Sequence, residues 1–405
     1  MGLASYIASR ICNALLVIIV ATIICSIVFN KLIEINIEQR IHMRVEETIQ
    51  RELGTHGIEG LIRYLNLISK TMEEYGIKVE IEGRLYGCAD VFRNSTFVAK
   101  LKEEGLLESV ARTCIERFII EDEKRLWGLD KPYIVRVFLY TYKTITFSLG
   151  MPYGQYQQFG EYKDTFELLM LAMSRSIALF TVAYMINIAI SLYLGLRMAR
   201  AAGGLLDRFI SIMGMVTHSF PLYWLGLIVI LVFSVQLGWF PLRAWESPPE
   251  SIAKDPLSSF IWWAKHLALP IMTIVFVAVG PTSYVVRNMV LNVMQEDFVW
   301  VARAKGLPER YIMYRHVLRA ASPPIATTIL LGLLNTFFGA IISERVFQWP
   351  GMGTLYWLAI SNGDIPVLMG LNYLFVLLFV LIKVFLDIIY CILDPRVRVT
   401  RIGGH

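Results

Sequence analysis

The side chains best placed to do chemistry fall in three groups. The stretch EDFVWVARAKGLPERYIMYRHVLRAASPP, residues 296–324, carries eight charged groups and a central glycine between two strongly apolar segments. Lys383 and Asp387 stand four residues apart inside the last apolar run, so on a helix they share one face and can pair. Charge inside an apolar span is costly and marks either a pathway or subunit contact or a self-satisfied pair within the bundle. Cys88 and Cys114 are the two cysteines of a long polar segment; they form a disulfide or two buried thiols. None of these is a catalytic set. The histidines (42, 56, 218, 266, 316 and 405) show no metal-ligand spacing, so no metal site is expected. No Gly-rich loop ends in Gly-Lys-Ser/Thr, and no nucleophile-elbow pattern occurs. The chain is expected to be a non-enzyme without a cofactor or nucleic-acid partner, drawing energy from other subunits.

The elements that position these groups are membrane helices. The chain has 405 residues, 56% of them hydrophobic, and a mean hydropathy of +0.55, above the composition of soluble domains. Apolar runs long enough to cross a bilayer lie at 11–29, 168–196, 209–240, 267–294, 322–343 and 366–393, which makes six spans. The first could be mistaken for a signal peptide, but it is long and no small-x-small cleavage site follows, so it reads as a retained helix. The third is too long for one straight crossing. Pro221 should break it, leaving 209–220 near one face and 222–240 as the crossing. Lys and Arg crowd the segments that are inside if the N-terminus is cytoplasmic, namely Arg10, Arg197–Arg208, Arg287–Arg319 and Arg396–Arg401. Both termini are therefore expected inside, in a multi-pass protein of the cell membrane.

This topology puts 31–167 outside as an inserted domain, giving 1–30 as first helix, 31–167 as the insertion and 168–400 as the core. Residues 34–166 hold 18 Lys/Arg against 21 Asp/Glu, and the remainder holds 20 against 12. The insertion reads as α/β. Residues 38–53 and 59–75 have helical periodicity, whereas IKVEIEG and YIVRVFLYTYKTITFSL favour strands. Asn94-Ser95-Thr96 has the pattern of a glycosylation acceptor.

Within 296–324, DFVWVARA suits a short amphipathic helix ended by Lys305 and Gly306. Ala302 and Ala304 are small enough for another surface to come close. Leu307-Pro308 opens a second helical piece, and Pro323 and Pro324 separate it from the next span. A helix–Gly–helix beneath a membrane docks a protein or rests on anionic lipid.

The run resembles the coupling loop of ATP-binding-cassette importer permeases, specifically the dipeptide/oligopeptide permease family. Asp297, Ala302, Arg303, Ala304, Lys305, Gly306, Leu307, His316, Leu318 and Arg319 match that family's loop. Phe298 stands where Tyr is usual, Trp300 where Arg is commoner, and Ala320-Ala321 replaces Asn-Ala, departures that bear on the partner's identity. SFPLYWLG (219–226), ERVFQWPGMG (344–353), Asp364-Ile365-Pro366 and Asp394-Pro395-Arg396 are similar to further family segments, in the same order. The likeness covers about 168–400. The usual Gly-Asp-Pro after the first span is absent, and 31–167 has no recognised counterpart.

Together, the apolar runs and the periodicity of the insertion give an all-α membrane protein of six transmembrane helices, with the α/β domain between helices 1 and 2. The resemblance implies a second permease chain, two cytoplasmic ATPases that bind ATP and Mg, an extracellular solute-binding protein, and peptide or oligosaccharide cargo. Its loop would couple to the ATPases. Pro350, Gly351 and Gly353 break helix near the outer leaflet, where irregular backbone survives only if buried in protein or lining water. Residues 344–366 therefore either dip toward the outer mouth or form a tight loop, and Pro221, Glu344, Phe347 and Asp364 join them as gate candidates. Arg345 is placed to pair with Glu344 or with a neighbouring subunit. A secondary transporter would be expected to show repeated halves and midplane charges, and a sensor would need a signalling domain inside. The sequence shows neither.

Overall fold

The computed structural model describes residues 3–81 and 83–393. Helix α1, Leu3–Glu74, contains the apolar span Ser9–Ile35 and then runs on into a charged amphipathic stretch. Gly57, at φ 62° and ψ −152°, interrupts it, a conformation that glycine tolerates without steric cost. The chain forms two compact units, Thr22–Lys143 and Met1–Ala21 with Thr144–His405.

In the smaller unit, strands β1 (Lys78–Ile81) and β2 (Arg84–Gly87) pair antiparallel with Lys78 opposite Gly87. Helices α2 (Cys88–Arg93), α3 (Ser95–Glu103), α4 (Leu107–Leu126) and α5 (Tyr133–Ile145) follow. Leu61, Leu65 and Met72 of α1 meet Val79, Phe92, Ile115 and Ile119 in the core. Cys88 and Cys114 are disulfide-bonded with Cα atoms 5.9 Å apart. Asn94 caps α3 by accepting from the Thr96 and Phe97 amides.

The α/β expectation for this region is wrong. It is helical apart from the one hairpin, and YIVRVFLYTYKTI is α5. Its β-branched and aromatic residues suit a strand locally. However, Arg136, Val137, Tyr140 and Thr141 are buried at helical spacing, and tertiary packing on one helical face overrides propensity. The unit also ends earlier than the 31–167 reading, because 147–164 packs in the larger unit. There Tyr156 and Phe159 join Leu168, Leu169, Val367 and Leu371.

The larger unit contains α6 (Thr165–Arg200), α7 (Leu205–Ser219), α8 (Leu222–Val229, continued as a π-helix to Gln236), α9 (Glu250–Ala253), α10 (Pro256–Met294), α11 (Asp297–Ala304), α12 (Glu309–Tyr311), α13 (Leu318–Asn335), α14 (Ile341–Val346), α15 (Met352–Ser361) and α16 (Ile365–Leu393). Among the described residues, five helices are long and apolar enough to cross a membrane, and a sixth crossing exists if the bent pair Leu205–Ser219 and Leu222–Gln236 counts as one. That pair turns through 98° at Phe220-Pro221, where the sequence placed the break. The protein is an all-α, multi-pass membrane protein. The exposed Leu, Ile, Val and Phe side chains on these helices suit contact with lipid.

Pro323 and Pro324 do not separate two elements as expected; both lie inside α13. Proline cannot bond the carbonyl four residues back. For Pro323 that carbonyl is Arg319 O, and Ser322 Oγ donates to it at 2.9 Å. The π-helix Ile312–Val317 immediately precedes α13 and loosens the same stretch.

Candidate functional site

The 296–324 segment is two-sided. On α11, Val299 and Ala302 turn inward to a cluster with Ala199 of α6, Val286 and Val290 of α10, Ile312, Met313 and Val317 of the π-helix, and Ala321 of α13. The small side chain of Ala302 therefore admits this chain's own helices rather than another surface, whereas Ala304 is exposed. The opposite face exposes Phe298, Trp300 and Val301, followed by Tyr311 and Tyr314. Asp297, in the first turn of α11, and Lys305, at its C-terminus, are both exposed. Arg303 Nε donates to Glu309 Oε1 at 2.8 Å, with its guanidinium 5.5 Å from the Trp300 ring centre. Gly306 sits at φ 76° with open space where a Cβ would stand, so its backbone conformation is what requires glycine. Leu307 is half-buried against the inner cluster.

Behind this loop lies a contact that reading the sequence missed. Arg287 of α10 donates through Nε and Nη2 to the two carboxylate oxygens of Asp207, each at 2.7 Å. The Gly203 amide donates to the same carboxylate at 2.8 Å. Such a fork-to-carboxylate pair fixes orientation as well as distance. It ties the start of α7 to α10, whose backbones also touch at Gly214 and Gly280; a Cβ built on Gly280 would lie 2.4 Å from Gly214 Cα. An arginine inside the fourth apolar run was the available signal, since such a charge needs a partner.

The second constellation is around 339–366. Glu344 is buried and accepts four bonds: from Ser176 Oγ at 2.7 Å, the Gly353 amide at 2.8 Å, the Thr354 amide at 3.2 Å and the Ala340 amide at 3.3 Å. Ser176 Oγ in turn accepts from the Met352 amide at 2.7 Å. One carboxylate thus gathers α6, α14 and the start of α15. Burial nevertheless outweighs these donors and pushes its pKa up to about 7. Arg345 is exposed and makes no ion pair among the described residues, and Glu344 is satisfied by other donors. Pro350, Gly351 and Gly353 are buried. A Cβ on Gly351 would meet Ser176 Oγ at 2.4 Å, and one on Gly353 would meet Ile341 Cα at 2.5 Å. Phe347 lies on the backbone of α8, its ring 2.9 Å from a Cβ built on Gly226, and Pro221 is exposed at the N-cap of α8.

Asp364 is fully buried and clamps the loop that precedes α6. Its Oδ2 accepts from the Tyr153 amide at 2.7 Å, the Gly154 amide at 2.8 Å and Tyr156 Oη at 2.9 Å, while Oδ1 accepts from the Val367 amide at 3.2 Å. Burial beside this carboxylate pushes the Tyr156 phenol well above its ordinary pKa. Arg175 of α6 is held in place within the protein. Its guanidinium donates to the Phe159 carbonyl at 3.1 Å and stacks 4.1 Å from the Trp245 ring centre. Lys383 lines a crevice with Arg10, Asn13 and Val17. The Asp387 side chain, and Asp394-Pro395-Arg396, lie outside the described residues.

The order of these elements, from α6 through the bent α7–α8 pair and the α11 loop to α16, coincides with a family match. Residues 191–399, more than half of the chain, match the binding-protein-dependent transport system inner membrane component. The chain belongs to that family. The match begins within α6 and leaves the smaller unit outside it. The permease is 29% identical over 283 residues to the di/tripeptide transport system permease protein DppB of Pseudomonas aeruginosa, covering 67% of this chain and 82% of that protein. It is 30% identical over 300 residues to a protein of Escherichia coli described as the probable D,D-dipeptide transport system permease DdpB, covering 71% and 86%. It is also 30% identical over 233 residues to the oligopeptide transport system permease protein AppB of Bacillus subtilis, covering 57% and 72%. The likeness to dipeptide/oligopeptide importer permeases read from the motifs is borne out.

Proposed function

We propose that this permease forms one half of the translocation pathway of an ATP-driven importer whose cargo is peptides. The observation that carries the reading is the two-sided 297–312 segment. Val299 and Ala302 are seated among the ends of the spans, while Phe298, Trp300 and Val301 face away from them. Force applied to the exposed face passes through close packing to α6, α10 and α13, and the Arg287–Asp207 fork carries it on to α7. Two cytoplasmic ATPases, which hold ATP and Mg, supply that force. The segment of Glu344, Phe347, Pro350, Gly351, Gly353 and Asp364 acts as the outer gate. A second permease completes the pathway, and an extracellular solute-binding protein delivers the cargo. Both termini are cytoplasmic in this arrangement, and the 31–167 insertion helps dock the binding protein. Peptide cargo is supported by the names of DppB and AppB.

The deciding experiment is gentle extraction of the tagged chain and identification of what co-purifies. Two ATPase chains and a second permease are expected; a chain that emerges alone under several mild detergents overturns the reading. In the purified complex, Gly306→Trp should leave assembly intact but abolish stimulation of ATP turnover by loaded binding protein, because the coupling is reciprocal. Normal transport by that variant would show that the loop does not couple.

A further inference from the structure

Helix α5 poses a problem for an insertion that lies wholly in water. Its exposed face consists of Tyr133, Ile134, Val135, Phe138 and Tyr142, with no charged side chain among them. The opposite face is fixed. Tyr140 Oη donates to the Trp127 carbonyl, Arg136 Nη2 donates to Glu34 Oε1 at 2.6 Å, and Thr141 Oγ1 donates to Ser26 Oγ at 3.0 Å.

Those last two partners set the depth. Ser26 and Glu34 both belong to α1, and Ser26 lies well inside the apolar span Ser9–Ile35. The first charges after the apolar run are Lys31 and Glu34. Ser26 precedes Glu34 by eight residues, so it lies about 12 Å further along the helix axis. The pairings run in opposite chain directions, Arg136 with Glu34 and Thr141 with Ser26. The C-terminal part of α5 therefore descends along α1 toward the middle of the span. A span needs this cover, because Thr22, Ser26 and Asn30 recur every four residues as a buried polar stripe on one face of α1. Polar groups facing hydrocarbon without partners are expensive. Beside the stripe, α1 exposes Ile24, Ile27 and Val28, the face that contacts lipid because the helix crosses the bilayer.

We propose that α5 is embedded in the bilayer, with Ile134, Phe138 and Tyr142 in the acyl region of the leaflet entered by residues 26–34, continuing the lipid face of α1. The insertion is then anchored at its base by a helix that does not span. Arg136 and Glu34 pair near the headgroup boundary, and the polar stripe of α1 stays covered. The inference rests on the membrane span and not on the transport reading.

The test uses the full chain, with the subunits that co-purify, in vesicles of phosphatidylethanolamine and phosphatidylglycerol. Single cysteines at Ile134, Phe138, Tyr142 and, as control, the exposed Lys124 are introduced where Cys12, Cys25 and Cys391 are Ala, and each is spin-labelled. Labels at 138 and 142 should lose collisions with a water-soluble nickel chelate and gain collisions with oxygen, more so at 142 than at 134, while 124 shows the reverse. Water-like behaviour at 138 and 142 overturns the proposal. So does shielding from both reagents, which would mean that protein covers the face.

Discussion

Glu344 and Ser176 stand 168 residues apart in the chain, and their side chains meet at 2.7 Å. The hydroxyl donates to the carboxylate and accepts from the Met352 amide, so it links α6 to α14 through its proton and to the start of α15 through its lone pair. Gly339 and Gly351 flank the pair with no room for a side chain, since a Cβ on either would approach Glu344 to 2.5 Å. Within ERVFQWPGMG, Gly351 is thus set by the volume of a buried acid and its serine partner.

That acid makes the 339–354 segment sensitive to pH. The pKa of Glu344 rises from an ordinary 4.5 to about 7 on burial, so between those values the folded segment holds a proton that the unfolded chain has lost. Its contribution to stability is complete below pH 4.5 and is lost as pH rises to about 7. Hydrogen exchange of 339–354, corrected for intrinsic rates, should show protection falling over that window. Glu344→Gln should remove the pH dependence and also weaken the segment, because an amide NH2 then faces backbone N–H donors.

Two glycines should respond differently to the same methyl group. At Gly353 a Cβ meets the backbone of Ala340 and Ile341 at 2.5–2.7 Å, and backbone cannot step aside as a flexible side chain can. Gly353→Ala should cost about 3 kcal/mol, at the upper end for overpacking, and lower the thermal midpoint of the purified protein. At Gly306 the space is open and only the φ of 76° resists. Gly306→Ala should cost about 1 kcal/mol and leave the fold intact. Equal midpoints for the two variants would contradict the packing described at Gly353.

How much of this was legible in the sequence depends on the range of the interaction. Apolar run length gave the spans, because crossing hydrocarbon is a local requirement of the chain. The Pro221 break was legible for the same reason, since ring geometry acts on adjacent residues. The 133–145 segment misled because its composition suits strands, and only contacts with α1 and with the turn after α4 select the helix. Pro323 misled because a neighbouring Ser322 hydroxyl satisfies the carbonyl that proline leaves open. Glu344 was legible as a candidate by its motif, but Ser176 was not, being an ordinary serine until the fold brings it alongside. The Arg345 pairing failed because the carboxylate is satisfied by backbone amides in the interior, leaving the guanidinium to solvent.

The Arg287–Asp207 fork should show the asymmetry of a buried ion pair. Asp207→Asn leaves a guanidinium without its counter-charge and should cost roughly 3–5 kcal/mol. Arg287→Lys keeps the charge but replaces two directed bonds with a point contact, and should fall between that variant and the parent. Removing both charges together, as Asp207→Leu with Arg287→Met, should cost less than Asp207→Asn alone. Thermal midpoints of the three variants test the order, and additive losses would mean that the two residues do not act as a pair.

The polar stripe of α1 offers a substitution expected to stabilise. Asn30 is fully buried, and among the described residues neither its Oδ1 nor its Nδ2 has a hydrogen-bond partner, whereas Ser26 one turn earlier bonds to Thr141 at 3.0 Å. An unsatisfied buried amide retains its desolvation cost with no bond in return, about 1–3 kcal/mol. Leucine has the same branching and number of side-chain heavy atoms and no polar atom, so Asn30→Leu should raise the thermal midpoint or leave it unchanged. Ser26→Ala should lower the midpoint, by the loss of about 1 kcal/mol of stability, the net value of an ordinary hydrogen bond. The two positions lie on the same helix face and differ in whether a partner is present, so the comparison isolates that variable. If Asn30→Leu destabilises as much as Ser26→Ala or more, the Asn30 amide bonds to a group that belongs to the assembled protein in its membrane.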